Sequence, residues 1–73
     1  MSKLPRPSTK DLAKFLNTIG YRLDHTGKHH VFKNNERKMV TVPERKELGR
    51  GLLLEILSQV GSSRDDFIRW WNG

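Results

Sequence analysis

The apolar spacing of this chain changes period twice, and that change restricts the fold more than any single residue does. Leu12, Phe15, Leu16 and Ile19 recur at i, i+3, i+4 and i+7, the spacing that places side chains on one face of an α-helix. Ser8 and Asp11 ahead of them are spaced as a capping box, and Gly20 suits a left-handed helix end. From Tyr21 the period drops to two: Tyr21, Leu23 and His25 alternate with Arg22 and Asp24, which predicts a strand. Thr26 and Gly27 supply a turn, "KHHVFK" a second strand, "NNER" a second turn, and "KMVTV" a third strand ended by Pro43. The helical period then returns with Leu53, Ile56, Leu57 and Val60, in a helix opened by Gly51 and closed by Gly61. Ser63 and Asp66 repeat the capping pattern before "FIRWW", which predicts a short third helix whose Phe67, Trp70 and Trp71 need a surface to pack on.

Helix, three strands and helix in that order predict an α+β fold, αβββα, with the helices on one face of a three-stranded antiparallel sheet and a short helical extension at the C-terminus. The expected organisation is one domain over residues 1–73, with no repeat or linker within it. A chain of 73 residues has little core to spare, and without cysteine it has neither disulfides nor thiolate metal ligands to reinforce one. Its 34% hydrophobic content is still enough for a packed domain. No apolar run approaches a membrane span, and the opening "MSKLPRPSTK" lacks the apolar stretch of a signal peptide, so a soluble, cytoplasmic protein is expected.

Charge narrows the partner. Fourteen Lys and Arg oppose eight Asp and Glu, a net +6 that favours nucleic acid or an acidic protein. All three histidines, His25, His29 and His30, fall within six positions. Were that stretch helical, His25 and His29 at i, i+4 could chelate zinc, but Gly27 and the alternation on both sides oppose a helix. On a strand, His29 shares the face of Val31, and His30 that of Phe32. They could be ordinary strand residues at the mouth of a hairpin, or one could be the acid or base of a phosphodiesterase, since imidazole titrates near neutral pH.

The layout of helix, strand, "GKHHVF", "VTVP", a basic linker, "GRGLLLEIL" and "GSSRDDF" resembles the HicA family of toxin ribonucleases, over about residues 8–67. The most specific element of the resemblance is a Gly-Ser-His signature at the start of the second strand, matched by Gly27 and His29 with Lys28 in the serine position. Thr26 stands where a lysine often precedes the glycine; Val42, Pro43 and Gly51 match the end of the third strand and the opening of the second helix. The resemblance implies a double-stranded-RNA-binding-like fold and metal-independent, cofactor-free cleavage of mRNA. It also implies an essential histidine at His29, with His30 as second choice, and silencing by an antitoxin of the HicB family.

Cleavage of this kind begins when a base takes the ribose 2′-hydroxyl proton and that oxygen attacks the adjacent phosphorus. Lys28, on the strand face opposite His29, is a candidate for stabilising the charge that develops. Lys46, Arg50 and the backbone N–H groups after Gly51 could hold a phosphate at the start of the second helix. Two other functions fit the same sequence: a non-catalytic RNA-binding module of the same fold, and an interaction domain that docks a protein through its tryptophans. His25 is expected to contribute little to cleavage.

Overall fold

The computed structural model describes residues 4–73. The first three residues of the leader read above for a signal peptide lie outside them. The elements follow the expected order: α1 (Thr9–Thr18), β1 (Arg22–His25), β2 (His29–Lys33), β3 (Met39–Pro43), α2 (Arg50–Gln59) and α3 (Arg64–Asn72). The strands form one antiparallel sheet in the order β1-β2-β3.

Helix α1 begins with the expected capping box. The Asp11 N–H donates to Ser8 Oγ at 3.1 Å, and the Asp11 carboxylate accepts from the Ser8 N–H at 3.2 Å. It ends at Ile19, and Gly20 follows at φ +94, a conformation that side-chain-bearing residues adopt only under strain. Helix α2 starts one residue earlier than its sequence suggests. Gly49, extended at φ −66 and ψ 158, is its N-cap, and its carbonyl accepts the first helical bond, from the Leu53 N–H at 2.9 Å. Gly51 therefore lies inside the first turn rather than at its start. At α3 only half of a capping box forms: Ser63 Oγ accepts from the Asp66 N–H at 3.0 Å.

Between β2 and β3 the Asn34 side chain closes the turn, accepting from the N–H groups of Glu36 and Lys38 at 3.0 and 2.9 Å, while Arg37 takes the left-handed conformation, φ 63. Register sorts the sheet residues. Leu23 pairs with Phe32, Phe32 with Val40, and His30 with Val42, so these side chains face the helices. Leu12, Phe15 and Leu16 of α1, Leu53, Ile56 and Leu57 of α2, and Phe67 of α3 close over Phe32, Val40 and Val42 in one core. Phe67 meets Phe15 edge to face, with ring centroids 5.0 Å apart, and Trp70 sits 5.4 Å from Phe15. The expected third helix thus finds its surface on α1, although Trp71 stays 41% exposed.

The segment read as a basic linker is tied down. Thr9, buried at the start of α1, donates from Oγ1 to the Pro43 carbonyl at 2.6 Å and accepts from the Arg45 N–H at 2.7 Å. Its own N–H donates to the Arg45 carbonyl at 3.0 Å. Three residues on, the Leu48 N–H donates to the Pro7 carbonyl at 2.7 Å, and the Leu48 side chain is fully buried. The exit from β3 is therefore held against the entry to α1, which fixes one wall of the site described next.

Candidate nucleic-acid interface

The site is built at the end of the sheet that carries the β1–β2 turn, and strand alternation gives it two sides. His29, the first residue of β2, pairs with Pro43 and is exposed on the face turned away from the helices. His30 pairs with Val42 and faces the helices, as the alternation predicts. Lys28 belongs to the turn rather than to β2, so the expectation of a defined, opposite strand face for it does not hold; its side chain is simply exposed beside His29.

On the inner side, His30 lines a groove of about 580 Å³ between α1 and the sheet. Ala13, Leu23 and Phe32 form its apolar floor, and Lys10, Glu44, Arg45 and Lys46 its charged rim. The His30 side chain is 23% exposed, with Nε2 3.9 Å from a Glu44 carboxylate oxygen, a contact that becomes an ion pair when the ring is protonated. Leu23 is 49% exposed at the groove, an apolar surface left uncovered by the fold. Lys46, singled out from the sequence, is on this rim; Arg50 and Gly51 are in the exposed first turn of α2, which no side chain caps. Absence of a capping side chain leaves backbone N–H groups available to an anion.

On the outer side, β1 departs from its predicted alternation. Leu23 pairs with Phe32, but His25, not Asp24, pairs with Val31, so a bulge at Asp24 sets two residues against one. The expectation that His25 shares the face of Tyr21 and Leu23 is therefore overturned: the bulge turns it to the outer face, with His29. There Asp24 accepts from His25 Nδ1 at 2.7 Å and lies 3.7 Å from the Lys33 ammonium. The bond to His25 first, and the charge of Lys33 with it, hold the Asp24 carboxyl below its ordinary value of 3.8. His25 and His29 stand on two strands joined by a turn, so the i, i+4 helical pair considered for zinc does not form. Among the described residues no group of three His, Asp or Glu is arranged around a metal position.

Three features of this region were not legible in the sequence. Thr9 carried no signal beyond its place after a cap, Leu48 was hidden among charges, and the Asp24–His25 pair needed a bulge that alternation does not announce.

Order of elements, a sheet with one open face and a basic groove beside a histidine-bearing strand define a small α+β domain of the αβββα class. A family model described as HicA toxin of bacterial toxin-antitoxin matches residues 9–62, well over half of the chain, and the chain belongs to that family. It is thus the toxin of a toxin–antitoxin pair, in a family whose members are generally endoribonucleases. No curated protein and no solved structure shows significant similarity to it. No helix among the described residues is long and apolar enough to cross a membrane.

Proposed function

We propose that this toxin is a metal-independent endoribonuclease that cleaves mRNA in the cytoplasm, that His29 is its proton-transfer residue, and that a HicB-like antitoxin silences it by covering the histidine-bearing end of the sheet. The observation that carries the reading is the position of His29. It is the histidine that matches the family signature, and it stands exposed on the open sheet face beside Lys28, where a phosphodiester can reach it. A positioned imidazole supplies about 10²- to 10⁴-fold of rate by proton transfer. Cationic groups then stabilise the charge that builds on phosphorus, which is the role assigned to Lys28.

RNA binding is assigned to Lys28, Lys46, Arg50 and the first turn of α2 at Gly51. Lys46 on the groove rim, with Lys10 and Arg45 beside it, supports a backbone-tracking interface. His30 in the groove is a secondary RNA contact and the second choice for proton transfer. The net charge of +6 favours an acidic surface on the antitoxin. The whole chain, 1–73, acts as one domain in this reading, without a cofactor.

Two arms test the proposal. Labelled single-stranded RNA incubated with the protein in EDTA yields fragments, and co-expression of the partner abolishes both cleavage and growth inhibition. RNA bound but left whole would instead favour the non-catalytic RNA-binding module. Activity unchanged by the partner would contradict occlusion by an antitoxin.

A further inference from the structure

Transesterification of RNA moves two protons, one off the attacking 2′-hydroxyl and one onto the departing 5′-oxygen. A single histidine can do only one of these at a time. The outer sheet face offers a second. The bulge at Asp24 turns His25 away from the groove and onto the face of His29. His25 pairs with Val31, and His29 is two residues before Val31 on β2, so the two imidazoles are diagonal neighbours, with Cα atoms about 7–8 Å apart in strand geometry. A phosphodiester held between them, about 3 Å from each ring, spans that gap.

The two rings are not equivalent. Asp24 Oδ2 lies 2.7 Å from His25 Nδ1, and a carboxylate held ionised there can only accept, so Nδ1 carries the hydrogen and Nε2 takes no part in that bond. His29 has no carboxylate among its hydrogen-bond or ion-pair partners in the described residues.

We infer that His25, oriented by Asp24 and contrary to the expectation from sequence that it contributes little, is a second catalytic residue: the general acid that protonates the 5′-oxygen while His29 takes the 2′-hydroxyl proton. This rests on the ribonuclease reading above. In the step, His29 accepts the 2′-OH proton, the 2′-oxygen forms a bond to phosphorus, the bond from phosphorus to the 5′-oxygen breaks, and His25 gives its proton to that oxygen. The products are a 2′,3′-cyclic phosphate and a 5′-hydroxyl, with one proton moved from His25 to His29 and restored through solvent. Asp24 is a positioning residue that touches no reacting atom.

The test uses two substrates, natural RNA and RNA with a 5′-bridging sulfur, whose thiolate departs without a proton. His25→Ala slows cleavage of natural RNA by about 10²- to 10⁴-fold and changes cleavage of the sulfur substrate only a few-fold. Asp24→Asn slows cleavage of natural RNA more than that of the sulfur substrate, because the acid has lost the carboxylate that fixes its tautomer, and Asp24→Glu restores part of the rate. The other charged groups on that face are Arg22, His29 and Lys33, with Lys28 exposed in the adjoining turn, while β3 presents the uncharged Met39, Thr41 and Pro43 there. Both positions are exposed, so each variant loses only surface contacts and stays folded, with a thermal midpoint slightly below that of wild type at neutral pH. Natural RNA cleaved at the wild-type rate by His25→Ala, beside an inactive His29→Ala protein, overturns this inference alone. Equal losses on the two substrates overturn the acid role, and Asp24→Asn rates equal to wild type on both substrates overturn the positioning role. RNA left whole by the wild type in EDTA removes the ribonuclease reading and this inference together.

Discussion

Adjacent histidines in one strand do unlike work because a strand turns every second side chain over. His30 is half-buried against the groove and His29 stands in solvent, so substitution should separate stability from chemistry. His30→Ala is expected to cost about 0.5–1 kcal/mol of stability and to lower cleavage only partially; a thermal melt beside a rate measurement checks both. Asp24 makes a pH-dependent contribution whose sign follows from its lowered pKa. Its bonds to His25 and Lys33 contribute stability above the ordinary carboxylate value of 3.8, and that stability is lost as pH falls through the lower folded value. The thermal midpoint of Asp24→Asn should therefore fall less than that of wild type between pH 5 and pH 3, the wild-type and variant curves converging in acid. What the sequence could say at this scale was which face His29 and His30 take, since pairing with Pro43 and Val42 is regular. It could not place His25, because a single inserted residue reverses the face of everything before it and leaves no mark in composition.

Element boundaries were legible wherever a side chain or a glycine enforces them. Ser8 and Asp11 mark the start of α1 by satisfying two backbone N–H groups, and Gly20 marks its end by taking a positive φ. The start of α2 was less legible because Gly49 caps it with backbone alone, so Gly51, two residues further on, drew the boundary to itself. The bare N-terminus of α2 gives a prediction with two signs. Gly49→Asp supplies both a capping oxygen and a negative charge at the positive end of the helix dipole, and should raise stability by about 0.5–1 kcal/mol, read as a higher thermal midpoint. The same carboxylate would occupy the N–H groups proposed to hold a phosphate and repel RNA beside Arg50, so binding at low salt should weaken. A stabilised variant that bound RNA as wild type would exclude this helix from the interface. Packing of α3 was foreseen only as a need: three aromatics at helical spacing require a surface, but that Phe15 provides it depends on how α1 lies against the tail.

For the molecule as a whole, a net charge of +6 over 73 residues means that RNA is drawn first by its backbone and only then presented to the histidines. If about four phosphates are contacted, log affinity should fall against log salt with a slope near about −3 for single strands, measured with an inactive variant so that the RNA survives. Charge reversal at Lys46 and Arg50 should flatten that slope while leaving the melt unchanged, because both side chains are exposed. The fold was accessible from the order of periodicities and the family from the motifs that resemble it, whereas the two-sided site was not, since it depends on Thr9 fastening the exit of β3 to α1 and on the bulge in β1. The central claim is that His29 transfers a proton in RNA cleavage without a metal. Cleavage of one labelled RNA by wild type and by His29→Ala, in EDTA and under single-turnover conditions, tests it most directly. The wild type should yield fragments ending in a 2′,3′-cyclic phosphate and an equally stable His29→Ala protein should leave the RNA intact; equal cleavage by the two would contradict the claim.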